Sequence, residues 1–316
     1  MKISGLQKMT LLDFPGKVAC TVFLQGCNFR CPFCHNSDLL GNDGPPSIPP
    51  EDLLAFLGKR VGLLDGVCVT GGEPTLREDL PLLVDHAKRF VTRLNTNGVN
   101  LTPELVKDLK AAGLDSVQVT LYSHDEAVHN ELVGVPRFAD TVQGIQNAVT
   151  AGLDISVNTP LCRKNRDYRK TLEFVHSLGV RFATVSGLIC TGMADNNHEA
   201  YDLSEEELFA IVKEAKVFVD ANGMEMDFTS PGLISKERLE SLHMNIPMCG
   251  AALSNMAIAP DGTVVPCQSW LGSDAALGNI LTDDFSRIWN HKACVSLRQM
   301  SEEAALSCPF RTGKGR

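Results

Sequence analysis

The feature that most constrains this chain is a regular alternation of short β-branched segments with longer amphipathic segments over residues 18–188. The short segments are rich in Val and Thr and predict strands, whereas the segments between them have helical spacing. The six predicted strands are Val18–Leu24, Gly66–Thr70, Val91–Thr96, Ser116–Leu121, Asp154–Thr159 and Val180–Leu188. Strands that alternate with helices are joined by right-handed parallel crossovers. The pattern therefore predicts an α/β fold, either a partial barrel or a doubly wound sheet.

The segments between the predicted strands carry helix start and stop signals. Apolar residues recur at three- and four-residue spacing in PEDLLAFLGKR, REDLPLLVDHAKR and TPELVKDLKAAG. Thr102 stands before Pro103, a good N-cap with proline in the first helical position. Gly113 and Gly179 follow helical segments, where glycine commonly ends a helix. In both architectures ligands bind at the carboxyl ends of the strands, so functional residues are expected there.

The alternation stops after Leu188, and the remaining sequence has a different character. Residues 190–203 have no clear periodicity and predict a loop, and Leu203–Gly223 predicts a helix that Ser204 caps. From about residue 240 the chain is rich in Pro, Gly and Cys, and Ile258–Cys267 predicts a hairpin around Asp261 and Gly262. We therefore expect two domains, residues 1–235 and residues 236–316.

Length and charge exclude several classes of protein. The chain has 316 residues and a net charge of −9, and such an acidic surface argues against general nucleic-acid binding. No apolar run approaches the ~20 residues that cross a bilayer, and the first residues lack a signal-peptide core. We therefore expect a cytoplasmic protein without membrane contact. The 11 cysteines, in such a compartment, favour metal sites over disulfides.

Three of these cysteines form the strongest motif in the chain. Cys27, Cys31 and Cys34 have the spacing C-x3-C-x2-C, directly after the first strand. An iron–sulfur cube that is held by only three cysteines keeps one iron free to bind a substrate or cofactor. The alternative is a zinc site with His35 as the fourth ligand.

This spacing, with the aromatic Phe33 before the last cysteine and a βα series around it, resembles the radical S-adenosylmethionine (radical SAM) superfamily. The resemblance implies a partial (βα)6 barrel. It also implies that a 4Fe–4S cluster chelates the methionyl group of S-adenosylmethionine through its free iron. One electron then breaks the C–S bond and yields methionine and a 5′-deoxyadenosyl radical. The protein's tasks would be to position the sulfonium and to exclude water and stray hydrogen donors.

A second motif is consistent with this resemblance. The second predicted strand runs into TGGEP, and the family has a GGE-type turn at this place. Glycines allow backbone carbonyls to approach a ligand ammonium group, and a carboxylate accepts charge-assisted hydrogen bonds. The residues of this motif that the resemblance assigns to S-adenosylmethionine are Gly71, Gly72, Glu73 and Pro74.

Further cofactor contacts are expected at the ends of other strands. Thr96 and Asn97 end the third strand, and Thr120 ends the fourth, where the family often has a hydroxyl group near the methionyl carboxylate or ribose. Ser156 and Asn158 end the fifth strand, and the backbone of Phe33 is placed near adenine by the resemblance. Polar side chains at strand ends are also common without a function, so solvation alone remains the alternative.

The two ends of the chain resemble different branches of this superfamily. The amino-terminal segment resembles the activating proteins of anaerobic ribonucleotide reductase and related glycyl-radical activases over about the first 100 residues. The C-x12-G-x4-C pattern of Cys249, Gly262 and Cys267 resembles the start of the SPASM or twitch extension, which holds auxiliary iron–sulfur clusters. The resemblance implies at most one auxiliary cluster, with Cys249, Cys267 and Cys308 as its ligands. Cys294 lies in a helical pattern and is expected to be a buried core thiol.

The sequence therefore predicts an enzyme with an α/β radical SAM barrel and a small cysteine-containing SPASM/twitch-like extension. Its expected activity is abstraction of hydrogen from a peptide or protein substrate, with reduced flavodoxin or ferredoxin as electron donor. The alternatives are a glycyl-radical activase and a molybdopterin-type cofactor biosynthesis enzyme. A zinc-binding structural protein is the non-enzymatic alternative.

Overall fold

A computed structural model describes residues 3–10, 14, 17–41, 48–188, 192–247, 250–253, 256–259, 261–267, 270 and 274–303. The chain divides into two compact units, residues 1–227 and residues 228–316, called here the barrel unit and the C-terminal unit. No helix in the described part of the chain is long and apolar enough to span a membrane.

The barrel unit is built on one eight-stranded sheet whose strands are neighbours in sequence order. The first strand is antiparallel to the second, and from the second to the seventh all neighbours are parallel. The strands are β1 (Ile3–Thr10), β2 (Ala19–Leu24), β3 (Gly66–Gly71), β4 (Val91–Thr96), β5 (Ser116–Thr120), β6 (Asp154–Leu161), β7 (Phe182–Gly187) and β8 (Glu225–Phe228). The expected six-stranded parallel series is therefore confirmed as β2–β7.

Helices connect the parallel strands and cover their outer face. They are α1 (Pro50–Gly58), α2 (Leu80–Ala87), α3 (Pro103–Ala111), α4 (Glu126–Val133), α5 (Phe138–Thr150), α6 (Tyr168–Ser177), α7 (Met193–Tyr201) and α8 (Glu205–Ala221). The Thr102 side chain accepts a hydrogen bond from Leu105 N–H at the start of α3, as its N-cap position predicts. Ser204 and Glu207 form a capping box at the start of α8.

The two faces of the parallel strands differ in polarity. One face carries buried apolar residues such as Val117, Val119 and Val157, which belong to the same core cluster as the α3 and α5 residues Leu109 and Ile145. The other face, lining the inside of the barrel, is polar and more accessible near the carboxyl ends. This alternation follows from the two-residue period of a strand. The carboxyl ends therefore form an accessible, polar edge suited to a ligand.

The C-terminal unit has short elements. It contains α9 (Lys236–Ser241), α10 (Phe285–Trp289), α11 (Lys292–Glu303) and a three-stranded sheet of β9 (Ala257–Ile258), β10 (Thr263–Val265) and β11 (Gly278–Asn279). β9 and β10 pair antiparallel on either side of Asp261 and Gly262, so the predicted hairpin is confirmed.

Two elements differ from the sequence-based expectation. The segment 190–203 was predicted to be a loop, but residues 193–201 form α7. β1 lies outside the predicted series, because ISGLQKMT has no regular alternation of apolar and polar residues. Its pairing with β2 contains two register shifts, which reconcile this irregular pattern with the sheet.

Candidate active site

The cysteine loop follows the carboxyl end of β2 and carries three half-buried thiols. Cys27, Cys31 and Cys34 form no disulfide. Besides burial, the charge of Cys34 raises the pKa of both Cys27 and Cys31, and the charge of Cys27 raises the pKa of Cys31, so the sulfurs lie close together. The backbone N–H of Phe29 donates a hydrogen bond to Cys27 Sγ at 3.4 Å. Hydrogen bonds to cysteine sulfur are a feature of iron–sulfur sites, because they stabilise the negative charge of the cluster.

Burial disfavours the thiolate form of each of these cysteines. It raises the pKa of Cys27 to about 11 and that of Cys31 to about 12, and it also raises the pKa of Cys34. Converging thiolates in this place therefore need a cation, which the irons of a cluster would supply. Among the described residues no three His, Cys, Asp or Glu side chains are arranged to hold a single metal ion. That finding concerns one ion, whereas the cysteines of an iron–sulfur cube each bind a different iron. The donor set of the loop fits such a cube.

The turn after β3 packs directly against the cysteine loop. A Cβ atom on Gly72 would lie 2.1 Å from the carbonyl oxygen of Gly26, so this position requires glycine. The contact is fixed by two backbone hydrogen bonds, Gly72 N–H to Leu24 O at 2.8 Å and Glu73 N–H to Gly26 O at 2.7 Å. Gly71 has a φ of +117°, a conformation that other residues rarely adopt. The glycines therefore hold the two loops together.

Glu73 is buried within this turn and bonded to its own chain. Its Oε1 accepts hydrogen bonds from Thr75 N–H at 2.9 Å and from the hydroxyls of Thr75 and Thr96, each at 2.6 Å. Its Oε2 accepts from Asn97 N–H at 2.7 Å. Burial raises the pKa of Glu73, and these hydrogen bonds oppose that shift. With 1% exposure, Glu73 ties the β3 turn to the end of β4, and Pro74 is buried beside it.

Asn97 extends this network to the cysteine loop. Its side chain donates a hydrogen bond to Asn28 Oδ1 at 2.6 Å, and its own Oδ1 accepts from Val99 N–H at 3.1 Å. Thr96 and Asn97 therefore lie beside the predicted cluster site, but their described hydrogen bonds serve the protein itself. Asn28 was not singled out from the sequence, because an asparagine in a loop carries no signal by itself.

The remaining predicted cofactor residues lie on the inner face of the barrel. Thr120 and Asn158 are register partners on β5 and β6, and both are half-buried. Asn158 Oδ1 accepts a hydrogen bond from the Thr184 hydroxyl at 2.9 Å. Ser156 lies one inward position deeper, is 7% exposed, and accepts from the guanidinium of Arg93 at 3.4 Å. Thr120 and Asn158 are thus better placed than Ser156 to meet a ligand at the carboxyl edge.

An aromatic cluster supports the cysteine loop from one side. Phe33 is 5% exposed, and its ring centroid lies 5.5 Å from that of Tyr122 and 5.3 Å from that of Tyr201. His129, fully buried on α4, contacts the rings of Tyr122 and Phe29. Its Nδ1 accepts a hydrogen bond from Tyr122 N–H at 3.3 Å, and burial lowers its pKa to about 4. His129 is therefore a neutral, structural histidine.

Helix α7 supports the cysteine loop by hydrogen bonds to its backbone. Met193 N–H donates to Cys34 O at 2.9 Å, and the Asn197 side chain donates to Pro32 O at 2.7 Å. Gly192 has a φ of +62°, and a Cβ atom there would lie 2.6 Å from Cys34 O. Sequence analysis missed this helix, and the only sequence signal for the contact is the glycine before it.

Of the three cysteines predicted to hold an auxiliary cluster, one lies among the described residues. Cys267 is half-buried, forms no disulfide and follows β10. Cys249 and Cys308 lie outside the described residues. Cys294 is fully buried in α11, as expected of a core thiol.

A loop of three thiols at the carboxyl edge of an open parallel barrel defines a class of iron–sulfur enzymes. Residues 21–178 match the model of the radical SAM superfamily, and residues 249–309 match the SPASM iron–sulfur cluster-binding domain. The chain therefore belongs to the radical SAM superfamily and carries a SPASM-type domain at its carboxyl end. Its cofactors are accordingly 4Fe–4S iron–sulfur clusters and S-adenosylmethionine.

Two relatives of this chain carry the same name, probable GTP 3′,8-cyclase. The chain is 30% identical over 274 residues to a probable GTP 3′,8-cyclase of Sulfurisphaera tokodaii, covering 82% of this chain and 83% of that protein. It is 37% identical over 162 residues to a probable GTP 3′,8-cyclase of Saccharolobus islandicus, covering 49% of this chain and 51% of that protein.

Solved structures show the same fold at low sequence identity. Streptococcus suis SuiB has a TM-score of 0.62 and 17% identity, covering 88% of this chain and 67% of that chain. Native anSMEcpe with bound AdoMet has a TM-score of 0.58 and 16% identity, covering 88% of this chain and 82% of that chain. The expected radical SAM barrel with a cysteine-containing extension is therefore confirmed.

Proposed function

We propose that this chain uses a 4Fe–4S cluster held by Cys27, Cys31 and Cys34 to cleave S-adenosylmethionine and abstract hydrogen from a peptide substrate. When bound, the cluster supplies the electron that splits the sulfonium and generates the 5′-deoxyadenosyl radical. A second cluster held by Cys249, Cys267 and Cys308 belongs to the same proposal, with the domain division at residues 235/236. Reduced flavodoxin or ferredoxin is the proposed electron donor, and the cytoplasm is the proposed compartment.

The chain's own residues would orient the cofactor at the carboxyl edge. Glu73 holds the β3 turn through hydrogen bonds from Thr75, Thr96 and Asn97, so the backbone carbonyls of the turn are rigidly presented. Such carbonyls accept hydrogen bonds from an ammonium group such as that of the methionyl part. Thr120 and Asn158 add a hydroxyl and an amide on the inner face. A preorganised site of this kind loses little energy in reorganisation when the ligand binds.

The observation that carries the peptide proposal is the set of amide and hydroxyl groups that line the barrel toward its carboxyl edge, beyond the buried guanidinium of Arg93. Gln118 donates to the Thr184 hydroxyl at 2.7 Å, and that hydroxyl donates to Asn158 at 2.9 Å. Asn95, the register partner of Gln118, lies on the same half-buried face. Amide and hydroxyl groups match the donors and acceptors of a peptide backbone. SuiB, which shares the fold at 16% identity, has been solved bound to the precursor peptide SuiA.

The basic side chains that follow β6 already have partners within the protein. This favours an uncharged substrate over one that is rich in phosphate. Lys164 pairs with Glu131, and Arg166 pairs with Glu207 at 2.8 Å. Arg163 Nε donates to the backbone carbonyl of Asp202 at 2.7 Å. A triphosphate that bound here would have to replace these contacts, which costs part of its binding energy.

GTP is the second candidate substrate, and a different observation favours it. The relative from Sulfurisphaera tokodaii aligns with most of this chain at 30% identity and is named a probable GTP 3′,8-cyclase. This candidate predicts that GTP is consumed as S-adenosylmethionine is cleaved.

Anaerobic turnover separates the two candidates. The reconstituted, reduced enzyme is incubated with S-adenosylmethionine and a cell extract, and 5′-deoxyadenosine is quantified. We expect the extract to stimulate turnover and prior protease treatment of the extract to abolish that stimulation, whereas phosphatase treatment leaves it intact. Stimulation by GTP alone, with consumption of GTP, would instead establish the second candidate. The Cys31→Ser variant provides the background rate in every arm.

A further inference from the structure

Two asparagines flank the three cysteines of the loop, one at each end. Asn28 directly follows Cys27, and Asn36 lies two residues after Cys34. Both asparagines are half-buried, and neither was singled out from the sequence. Their side chains reach the carboxyl ends of two neighbouring strands, β3 and β4. The cysteine loop is therefore attached to the barrel edge on both sides of its thiols.

The first attachment is made by Asn28, which acts as an acceptor. Its Oδ1 accepts a hydrogen bond from Asn97 Nδ2 at 2.6 Å. The orientation of the Asn97 amide is fixed by the backbone, because its Oδ1 accepts from Val99 N–H at 3.1 Å and its nitrogen then faces Asn28. The backbone N–H of Asn97 donates to Glu73 Oε2 at 2.7 Å. One residue thus joins the cysteine loop to the buried carboxylate of the β3 turn.

The second attachment is made by Asn36 and has the opposite polarity. Its Nδ2 donates to the backbone carbonyl oxygen of Gly71 at 3.3 Å. A carbonyl oxygen only accepts hydrogen bonds, so the nitrogen of this amide must face it. Gly71 belongs to the turn whose carbonyls are proposed to bind the methionyl ammonium group. Asn36 therefore ties the far end of the cysteine loop to that turn as a donor.

We propose that the Asn28 and Asn36 side chains, called here the amide clamps, hold the cysteine loop against the β3 turn and thereby set the affinity for S-adenosylmethionine, an inference that rests on the proposed function. Under that function an iron of the cluster and carbonyls of the turn bind the same ligand, so binding depends on how the loop and the turn are placed. A clamp at each end restricts movement of the loop before the ligand arrives, which lowers the entropy cost of binding. Both asparagines act through the loop and are positioning residues.

The opposite polarity of the clamps supplies a matched test in the reconstituted full-length enzyme. Asn28→Asp keeps an oxygen that accepts from Asn97, whereas Asn36→Asp replaces the donor with an acceptor that faces the Gly71 carbonyl. Formation of 5′-deoxyadenosine is measured against the concentration of S-adenosylmethionine. We expect Asn28→Ala, Asn36→Ala and Asn36→Asp each to raise KM about tenfold with little change in kcat, as for one lost hydrogen bond that positions the ligand site. Asn28→Asp should keep the KM of the wild type.

A second measurement requires neither cofactor nor activity. Hydrogen exchange of the cluster-free protein is followed by mass spectrometry of peptides that cover residues 26–37. Exchange there should be faster in the three variants that lose a clamp and unchanged in Asn28→Asp, because loss of a tertiary contact promotes local opening of the loop. Exchange of β5 should be the same in all four variants and the wild type.

An effect of added charge alone predicts the opposite order of the two aspartate variants, because Asn28 is next to a cysteine and Asn36 is not. Equal effects of Asn28→Asp and Asn36→Asp would therefore overturn the proposal, as would wild-type KM and exchange in both alanine variants. A wild-type enzyme that forms no cluster or does not cleave S-adenosylmethionine would instead overturn the proposed function. The exchange measurement still decides in that case whether the two amides hold the loop, so the two failures are distinguishable.

Discussion

The barrel unit and the C-terminal unit differ in how much apolar surface their described residues bury. The main core cluster of the barrel unit contains 29 buried residues, whereas the described cluster of the C-terminal unit contains five. The strands β1–β7 have five to eight residues each, but β9, β10 and β11 have two or three. Elements this short are not stable without further support.

From this contrast we expect iron to have a different role in each unit. The cysteine loop rests on a sheet whose hydrophobic core is already sufficient, so a cluster there serves chemistry. The C-terminal unit resembles small domains that depend on a metal because their core is too small. Metal binding by such a unit is part of its folding free energy. We therefore expect loss of the two clusters to have separate consequences.

Loss of the first cluster should abolish activity and leave the fold intact. In Cys31→Ser we expect 5′-deoxyadenosine formation to fall by at least about a thousandfold, equivalent to ~4 kcal/mol in the activation free energy. The far-ultraviolet circular dichroism and the melting temperature should stay close to wild type, because the main core cluster of the barrel unit contains no residue of this loop. Retained turnover would contradict the ligand assignment, and a melted barrel would contradict the comparison between the units.

Loss of the second cluster should instead unfold the C-terminal unit. Both tryptophans, Trp270 and Trp289, lie in this unit, whereas all three tyrosines lie in the barrel unit, so fluorescence distinguishes the two. In Cys267→Ala we expect loss of about four irons and a red shift of tryptophan emission, with several kcal/mol of stability lost in this unit. Tyrosine emission should not change.

The matched control for this prediction is Cys294→Ala. Cys294 is fully buried in the small core, and its thiol donates a hydrogen bond to Ile288 O at 3.3 Å. Its removal should cost about 1–2 kcal/mol and leave the iron content unchanged. Equal loss of iron in both variants would show that Cys267 supports the unit by packing rather than as a ligand.

The sequence predicted the barrel well because each of its strands has a recognisable pattern of apolar and polar residues. Val117, Val119 and Val157 alternate with polar residues, which specifies both the strand and its buried face. The hairpin of the C-terminal unit was also predicted, since Asp261 and Gly262 form a turn that few other dipeptides form as well. The residues within each of these elements were therefore enough to specify it.

The sequence did not predict contacts that arise only when distant segments meet. Glu73 was expected to face a ligand, but donors from Thr96 and Asn97, more than 20 residues away, occupy its oxygens. Helix α7 has few apolar residues and is positioned by the cysteine loop, so periodicity carried no signal for it. The contact between the rings of Tyr122 and Phe33 likewise forms only when the barrel closes. The ligand roles of Cys249, Cys267 and Cys308 stay predictions, as do those of Cys27, Cys31 and Cys34.

A third prediction concerns the backbone that holds the cysteine loop on the barrel. Gly72→Ala places a methyl group 2.1 Å from Gly26 O, and backbone cannot move aside as a flexible side chain can. We expect a loss of about 3 kcal/mol in the stability of the barrel unit and weaker retention of the first cluster. Gly58→Ala, at the exposed end of α1 with open space around the new methyl group, should stabilise by about 0.5–1 kcal/mol. Equal melting temperatures for the two variants would contradict the close packing of the loops.

The smallest expected effect is a pH dependence that belongs to the barrel unit. His129 is neutral and buried, with its pKa lowered from 6.5 to about 4 by burial. The unfolded chain binds the proton more readily, so the stability that neutral His129 contributes is present above pH 6.5. It is lost progressively as the pH falls toward 4. At pH 5 the loss relative to pH 8 is about 2 kcal/mol for this group.

Urea unfolding of the wild type and of His129→Gln at pH 5 and pH 8 isolates this contribution. Glutamine can accept the hydrogen bond of Tyr122 N–H but does not titrate, so its variant should lack about 2 kcal/mol of the acid-induced loss seen in the wild type. The difference between the two proteins cancels any acid sensitivity of the clusters that they share. Followed by tyrosine emission, the difference should appear in the barrel unit. Followed by Trp270 and Trp289, it should be absent, because the C-terminal unit folds around a separate core. Identical pH profiles of tyrosine emission in the two proteins would show that His129 is protonated in the folded barrel without penalty.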